Sequence, residues 1–539
     1  MSPTNGWPAT TTTATLAEVA EAVPDRDFLV ADDGRLTYAQ TASLCSDLAA
    51  GLTAIGLRPG DRIGILLPNG IRWCASLLGA HAAGLCVVPL NTWYRTDELA
   101  AVARRAGLRA IITQTELFGF AAADAVSGFD MAGYLGALTW PAGAPRPMEL
   151  VAPSHSADPL AVLRASPVHG SSDALVLFTS GSTAAPKAVR LSQLGMVRNA
   201  HAVGERQGIR AGDRFWFASP LFFVFGCGNA LPNALTHAAT LCVQEKFDAE
   251  LALKFIERHR CTVYYGVGPV TRALAANPSL HEYDISSLRT GTANATPEDL
   301  RIAIEVLGVT EVCNAYGMTE GYGHSAITAH DDPVEVRINT QGTALPTQEL
   351  RIVADGVVLG RGEQGDIQIR GTITPGYLDG SSEAVDADTA GWFTTGDLGM
   401  VDADGNLHYL GREDEMMKVK GVNISPLEVE LLLVQHDLVD QAFVFGLATA
   451  DGDQSVGCAL VSSVGPDRRE QLGRDVLAWV HERAASYKVP RTLHILAARD
   501  LPLTPTGKVS KRLLKEQIAN CLADQDLSPL EHSPPRGEG

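Results

Sequence analysis

Short apolar runs alternate with longer stretches of helical spacing through the first part of the chain. From Leu36-Thr37-Tyr38 an alanine-rich helical pattern runs to Leu57. Pro59-Gly60-Asp61-Arg62 then turns the chain into Ile63-Gly64-Ile65-Leu66-Leu67, an apolar run of strand length. Asn69 is placed to cap a following helix, which leads to a second strand at Val87-Val88-Pro89-Leu90. Ala174-Leu175-Val176-Leu177, Cys261-Thr262-Val263-Tyr264-Tyr265 and Glu311-Val312-Cys313 read as further buried strands. Strand–helix–strand alternation of this kind predicts an α/β fold with a mostly parallel sheet.

The pattern changes elsewhere. Residues up to about 15 predict disorder. The stretch 140–172, rich in Pro, Ser and Ala, predicts a connecting loop. Between 340 and 410 short strands alternate with Gly and Asp turns, which suggests a small β-barrel-like subdomain. From Arg412 to Asp414 the character shifts to a compact α+β segment of roughly a hundred residues. Its first helix is signalled by Ser425-Pro426-Leu427-Glu428, with serine at the cap and proline at the first position. A last helix starts near Ser510, and the tail from Asp524 predicts disorder. The expected division is a large N-terminal domain over 1–411, a small C-terminal domain over 412–523 and a tail over 524–539.

At 539 residues the chain is too long for one core. Lys and Arg number 43 against 62 Asp and Glu, a net charge of −19 that argues against nucleic acid and anionic membrane as partners. No apolar run reaches transmembrane length. The N-terminus lacks the basic start and apolar core of a signal peptide. The nine cysteines are scattered and form no Cys-x-x-Cys pair. That usage argues against a disulfide framework or a structural zinc site, and for small core residues in a reducing cytoplasm.

The chemistry centres on Phe178-Thr179-Ser180-Gly181-Ser182-Thr183-Ala184-Ala185-Pro186-Lys187, directly after an apolar strand. A loop of hydroxyls, glycine and one lysine offers N–H, O–H and ammonium donors to an anion, typically a polyphosphate. It lacks the Gly-Lys-Ser/Thr ending of the Walker loop. A helix could start on a serine cap at Ser192. No Gly-x-Ser-x-Gly elbow is present, which disfavours a hydrolase of that type.

Four further phrases follow in order: Tyr316-Gly317-Met318-Thr319-Glu320, Thr395-Gly396-Asp397, Gly411-Arg412-Glu413-Asp414 and Pro505-Thr506-Gly507-Lys508. Together with the loop they resemble the adenylate-forming superfamily of acyl-CoA synthetases, adenylation domains and luciferases, over nearly the whole chain. The resemblance implies that Thr179, Ser180, Gly181, Ser182, Thr183 and Lys187 hold the β- and γ-phosphates of ATP. It places Thr292 and Ala293, within Gly291-Thr292-Ala293-Asn294, at the adenine wall, and adds Asn314 and Tyr316 to the nucleotide site. Thr319 would bond the α-phosphate. Glu320, with Thr179, would hold Mg²⁺, a hard cation that prefers oxygen. Asp397 would accept both ribose hydroxyls, and Arg412 would reach ribose or phosphate. Lys508 would bridge the carboxylate and α-phosphate during adenylation. Asp414 matches the hinge of a swinging C-terminal domain, with Lys420 and Gly421 lining the tunnel to the acceptor thiol of CoA.

Phe222, Phe223, Tyr265 and Gly317 are the expected acid-pocket residues, and an aromatic or medium-sized carboxylic acid is the expected substrate. This chain departs from the family pattern where Ala184 and Ala188 replace the usual glycines. Either would be strained if its backbone required positive φ. Phe223 stands where many members carry histidine, which puts the acceptor half-reaction in question. A carrier-protein thiol, an amine, or nitrite activation for diazotisation of an aryl amine are the alternatives that share adenylation chemistry. A non-catalytic nucleotide-binding protein is the reading from another class.

Overall fold

The computed structural model describes residues 9–32, 34–141, 156, 158–179, 187–294, 296–378, 388, 390–419, 422–449, 454–503 and 509–524. Two sheets dominate the first part of the chain. One has six strands in the order Ala137–Thr139, Ala110–Thr113, Arg62–Leu66, Cys86–Pro89, Asp173–Thr179, Lys187–Ser192. All its pairings are parallel except the last, which is antiparallel. The other has seven strands in the order Glu311–Cys313, Thr290–Asn294, Val263–Val267, Arg214–Phe217, Thr240–Val243, Asp27–Ala31, Gly34–Thr37, again parallel except at its last pair. Strands such as Thr240–Val243 and Cys86–Pro89 are buried throughout, as parallel strands covered on both faces must be. The predicted α/β class is therefore observed.

Several local expectations change. The first residues after 11 are a helix, Thr12–Ala22, capped by the Thr11 hydroxyl, which accepts from the Ala14 N–H. Thr12, Thr13 and Leu16 are buried. The Thr12 hydroxyl meets His81 Nδ1 at 2.9 Å and Gln193 Oε1 at 3.0 Å, so local polarity is spent on the interior rather than on solvent. The 140–172 stretch contains a helix, Pro159–Arg164, capped by Asp158. Asn69 does not cap the helix Ile71–Ala82, whose N-cap is Gly70. Its amide is committed elsewhere: Oδ1 accepts from the Leu221 N–H at 2.8 Å and Nδ2 donates to Ser219 O at 2.8 Å.

Ser192 does cap the helix Gln193–Arg206, its hydroxyl accepting from Gly195 N–H, and residues before it form the strand Lys187–Ser192. Residues 348–412 carry a five-stranded sheet in the order Val357–Val358, Gln348–Ala354, Gln364–Gly371, Phe393–Val401, Leu407–Arg412.

The chain divides into two compact units, one of 1–351, 368–394 and 401–408, the other of 352–367, 395–400 and 409–539. In the second, the strands Gln441–Ala448, Gln454–Val461 and Thr492–Leu496 form a sheet over a core of Val444, Cys458, Leu460, Val476 and Val480. Pro426 opens the helix Pro426–Leu433 as expected, but the Ser425 hydroxyl donates to Leu410 O instead of capping it. The last helix, Lys511–Asp524, starts where predicted. The proposed tail lies outside the described residues. All eight cysteines described are free and buried, which matches their reading as small core residues.

Candidate active site

Thr179 ends one strand and Lys187 begins the next, and the two are paired across the antiparallel ladder. The rest of the expected phosphate loop, Ser180, Gly181, Ser182 and Thr183, lies outside the described residues, as does Ala184. Ala188 is settled by the same ladder. It faces Phe178 in regular strand pairing, is fully buried, and is absent from the residues with positive φ. Glycine is not required there.

The Lys187 ammonium sits 5.4 Å from the centre of the Tyr377 ring, within cation–π range. The Tyr377 hydroxyl donates to Glu320 Oε1 at 3.0 Å. One tyrosine thus links the loop lysine to the expected magnesium ligand. Tyr377 is held there by backbone pairing: Arg190 N–H donates to Gly376 O at 3.0 Å and Leu378 N–H to Ala188 O at 2.9 Å. No motif marks Tyr377 in the sequence, because its partners are distant in the chain.

Thr319 and Glu320 lie in a short 3-10 turn, Thr319–Gly321, followed by Tyr322 in the left-handed region at φ 61°. Backbone and side-chain hydrogen bonds fix this turn. The Glu320 carbonyl accepts from Thr374 N–H at 2.7 Å. The Gly321 carbonyl accepts from Asn199 Nδ2 at 3.2 Å. The buried Tyr322 hydroxyl accepts from Ser192 N–H at 3.0 Å and meets Ser192 Oγ at 2.8 Å. Gly195 makes room for that ring, since a Cβ there would stand 2.1 Å from Tyr322 Cζ. Tyr322 was invisible to motif reading for the same reason as Tyr377.

Tyr316 is buried in the short strand Ala315–Tyr316, and the neighbouring Gly317 is exposed. A Cβ on Gly317 would lie 2.3 Å from Gly323 O, so the chain closes tightly around it. Thr292 and Ala293 sit buried on the strand Thr290–Asn294. Gly291 beside them has φ +132°, and a Cβ there would strike Tyr264 O at 1.9 Å. The Asn314 side chain is engaged by the fold: Nδ2 donates to Thr340 O at 2.8 Å and Oδ1 accepts from Ala315 N–H at 3.0 Å. It shapes the turn into Tyr316.

The expected aromatic pocket residues fall into two sets of ring contacts. The Phe222 and Phe223 rings are 4.6 Å apart, and Trp93, an exposed residue, stands edge-on to Phe222 at 5.5 Å. A π-helical turn, Phe225–Ala230, follows, and such turns recur at functional sites. The Phe225 ring stacks on Tyr265 at 5.1 Å and lies 6.3 Å from His324. Tyr265 is buried, and its hydroxyl is engaged by Asn233, Gln207 and Asn229. His324 is buried with neither ring nitrogen hydrogen-bonded, and burial lowers it to about 4. A neutral imidazole with open nitrogens beside Phe225 is a polar feature that the sequence reading missed.

In the second unit, Asp397 is buried and Arg412 Nε pairs with its Oδ1 at 3.0 Å. Burial, then the Asp397 charge, raises the neighbouring Tyr409. Asp414 falls in the turn Glu413–Glu415; its side chain, like all of Lys420, Gly421 and Lys508, lies outside the described residues. The flanks are defined. Val419 pairs with Val422, and Leu503 bridges Val509. Lys511 bonds Glu430 at 2.9 Å and Glu415 at 3.2 Å, tying the last helix to the turn that carries Asp414.

Residues 16–378 match the AMP-binding enzyme family, and residues 428–508 match the AMP-binding enzyme C-terminal domain. A methyl-dioxo-octahydroindenyl-propanoyl:CoA ligase of Mycobacterium tuberculosis is 33% identical over 94% of this chain and 98% of its own. The 4-coumarate–CoA ligase 3 of Arabidopsis thaliana is 28% identical over 89% of this chain and 86% of its own. An amide bond synthetase from Marinactinospora thermotolerans has the same fold, with a TM-score of 0.81 and 26% identity over 94% of this chain and 99% of that one. The ordered motifs, the paired sheets and the matched length agree: the chain belongs to the AMP-binding enzymes, the adenylate-forming superfamily of ATP-dependent ligases.

Proposed function

We propose that this protein is an acid–CoA ligase that adenylates an aromatic or medium-sized carboxylic acid and passes the acyl group to the thiol of CoA. The observation that carries the reading is the chain of contacts from Lys187 through Tyr377 to Glu320. Lys187 pairs with Thr179, the last described residue before the expected phosphate loop, so these contacts support a cation and a carboxylate acting together on the nucleotide.

Adenylation brings a carboxylate oxygen onto the α-phosphorus of ATP while pyrophosphate leaves. Both reactants are anions, so the protein must supply positive charge and alignment. Lys187 and the loop donors would hold the β- and γ-phosphates. Glu320, a hard oxygen donor fixed by Tyr377, and the Thr179 hydroxyl suit Mg²⁺, which would neutralise phosphate charge when bound. Thr319 would bond the α-phosphate, Tyr316 would stack on adenine, and Asp397 would take the ribose hydroxyls. Lys508 would stabilise the charge developing between carboxylate and phosphorus. The second half-reaction would use Lys420 and Gly421 after rotation about Asp414.

Phe222, Phe223 and Trp93 support an aromatic acid pocket, and His324 beside Phe225 is a neutral polar group for the same reading. The CoA acceptor is supported by relatives named as CoA ligases; the amide bond synthetase keeps an amine acceptor as the second reading. ATP–pyrophosphate exchange across a panel of aromatic and medium-chain acids and nitrite tests the proposal, followed by thioester detection by mass with CoA. Acid-dependent exchange with a CoA thioester is expected. Exchange with nitrite alone, or an amide in place of the thioester, would overturn it.

A further inference from the structure

The helix Gln193–Arg206 carries His201 and Glu205 one turn apart, on one face. Facing them is His237, the residue that ends the helix Leu231–Thr236. The three side chains each offer a ligand atom, and these atoms all lie within 4.8 Å of one another. None of the three belongs to the nucleotide or acid site described above.

The two histidine rings stack with centres 4.9 Å apart. His237 Nδ1 is 2.9 Å from the Asn233 carbonyl, so it carries the proton and donates. That fixes the tautomer and leaves Nε2 with its lone pair outward. Nε2 makes no hydrogen bond, yet it sits 3.4 Å from the Glu205 carboxylate. An imidazole nitrogen and a carboxylate oxygen thus face each other at a separation that two ligands of one cation would share. Tetrahedral bonds of about 2.0–2.1 Å put neighbouring donors roughly 3.3 Å apart. A backbone carbonyl on the far nitrogen is the usual support for a metal-bound histidine.

The neighbourhood is shaped for this approach. A Cβ on Gly204 would lie 2.2 Å from His237 Cε1, so only glycine lets the ring reach the helix. The His237 side chain is 5% exposed and that of Glu205 65%, which gives a shielded site with one open side for entry.

We propose that His201, Glu205 and His237 form a binding site for one borderline divalent cation, Zn²⁺ or a similar ion, that clips the helix Gln193–Arg206 to the helix Leu231–Thr236. Two imidazoles and a carboxylate suit Zn²⁺ and Co²⁺ better than Mg²⁺ or Ca²⁺. The cysteine spacing, which argues against a thiolate zinc site, has no bearing on this ligand set. The ion is distinct from the magnesium expected with ATP.

The test uses the full chain stripped with a chelator and titrated with Zn²⁺ against a chromophoric competitor, with Co²⁺ as a spectroscopic probe. The expected result is one tightly held equivalent, a tetrahedral Co²⁺ absorption band and a rise in melting temperature on adding zinc. Glu205→Gln, an exposed substitution that leaves the fold intact, and His237→Gln are each expected to weaken binding by roughly a hundredfold and to abolish the melting shift. Binding that is absent, or that survives Glu205→Gln at the same affinity, overturns the proposal. A melting temperature that does not respond to zinc overturns it too.

Discussion

Tyr377 is the residue whose loss should be most informative. Its hydroxyl is the hydrogen bond that orients Glu320, and bonds to a charged acceptor contribute about 1.5–3 kcal/mol. Tyr377→Phe should therefore lower kcat/KM for ATP by roughly ten- to a hundredfold, since about 1.4 kcal/mol is a factor of ten. Pyrophosphate exchange measured against magnesium concentration checks this, with a higher magnesium requirement as the signature. Ala188 gives the opposite expectation. It lies in a regular buried strand, so Ala188→Gly should lower stability by about 1 kcal/mol and leave the exchange rate unchanged. Urea denaturation beside the exchange assay measures both. At this scale the sequence revealed residues that sit inside a local phrase, such as Thr319 and Glu320. It hid Tyr377, Tyr322, Trp93 and His324, because each is defined by a partner far away in the chain.

Among elements, parallel strands were legible because their apolar runs are short, continuous and separated by helical spacing. The helix Thr12–Ala22 was not, because its threonines look like a solvated tail until His81 and Gln193 supply partners for Thr12. Asn69 and Ser425 misled for a related reason: a polar side chain at a helix start can serve a cap or a distant loop, and tertiary contacts decide. Buried histidines make the packing of these elements sensitive to pH. Burial lowers both His81, which joins the first helix to the strand Asp173–Thr179, and His324 to about 4. Their folded values lie below the unfolded value of about 6.5, so the unfolded chain takes up protons first as pH falls. Stability should be full above about 6.5 and fall between 6.5 and 4, by up to about 1.4 kcal/mol per pH unit for each histidine. Urea midpoints at pH 7 and pH 5 measure this, and His324→Gln should flatten part of the slope.

For the whole molecule, the residues proposed for the reaction are distributed over both compact units. Glu320 and Lys187 belong to the first, Asp397 and Arg412 to the second, and Lys508 to the C-terminal match. Lys508→Ala should reduce pyrophosphate exchange by roughly a hundred- to a thousandfold, the range for losing one preorganised charge at a reacting centre. Hydrolysis or thiolysis of a supplied acyl-adenylate should be nearly unaffected, because the lysine serves only the first half-reaction. The most direct measurement is a single turnover with excess enzyme, ATP, magnesium and an aromatic acid, read by mass before and after CoA is added. The account predicts an acyl-AMP and pyrophosphate first, then conversion of the adenylate to AMP and a CoA thioester. ADP and phosphate as products, or an adenylate that never forms with any acid, would contradict it.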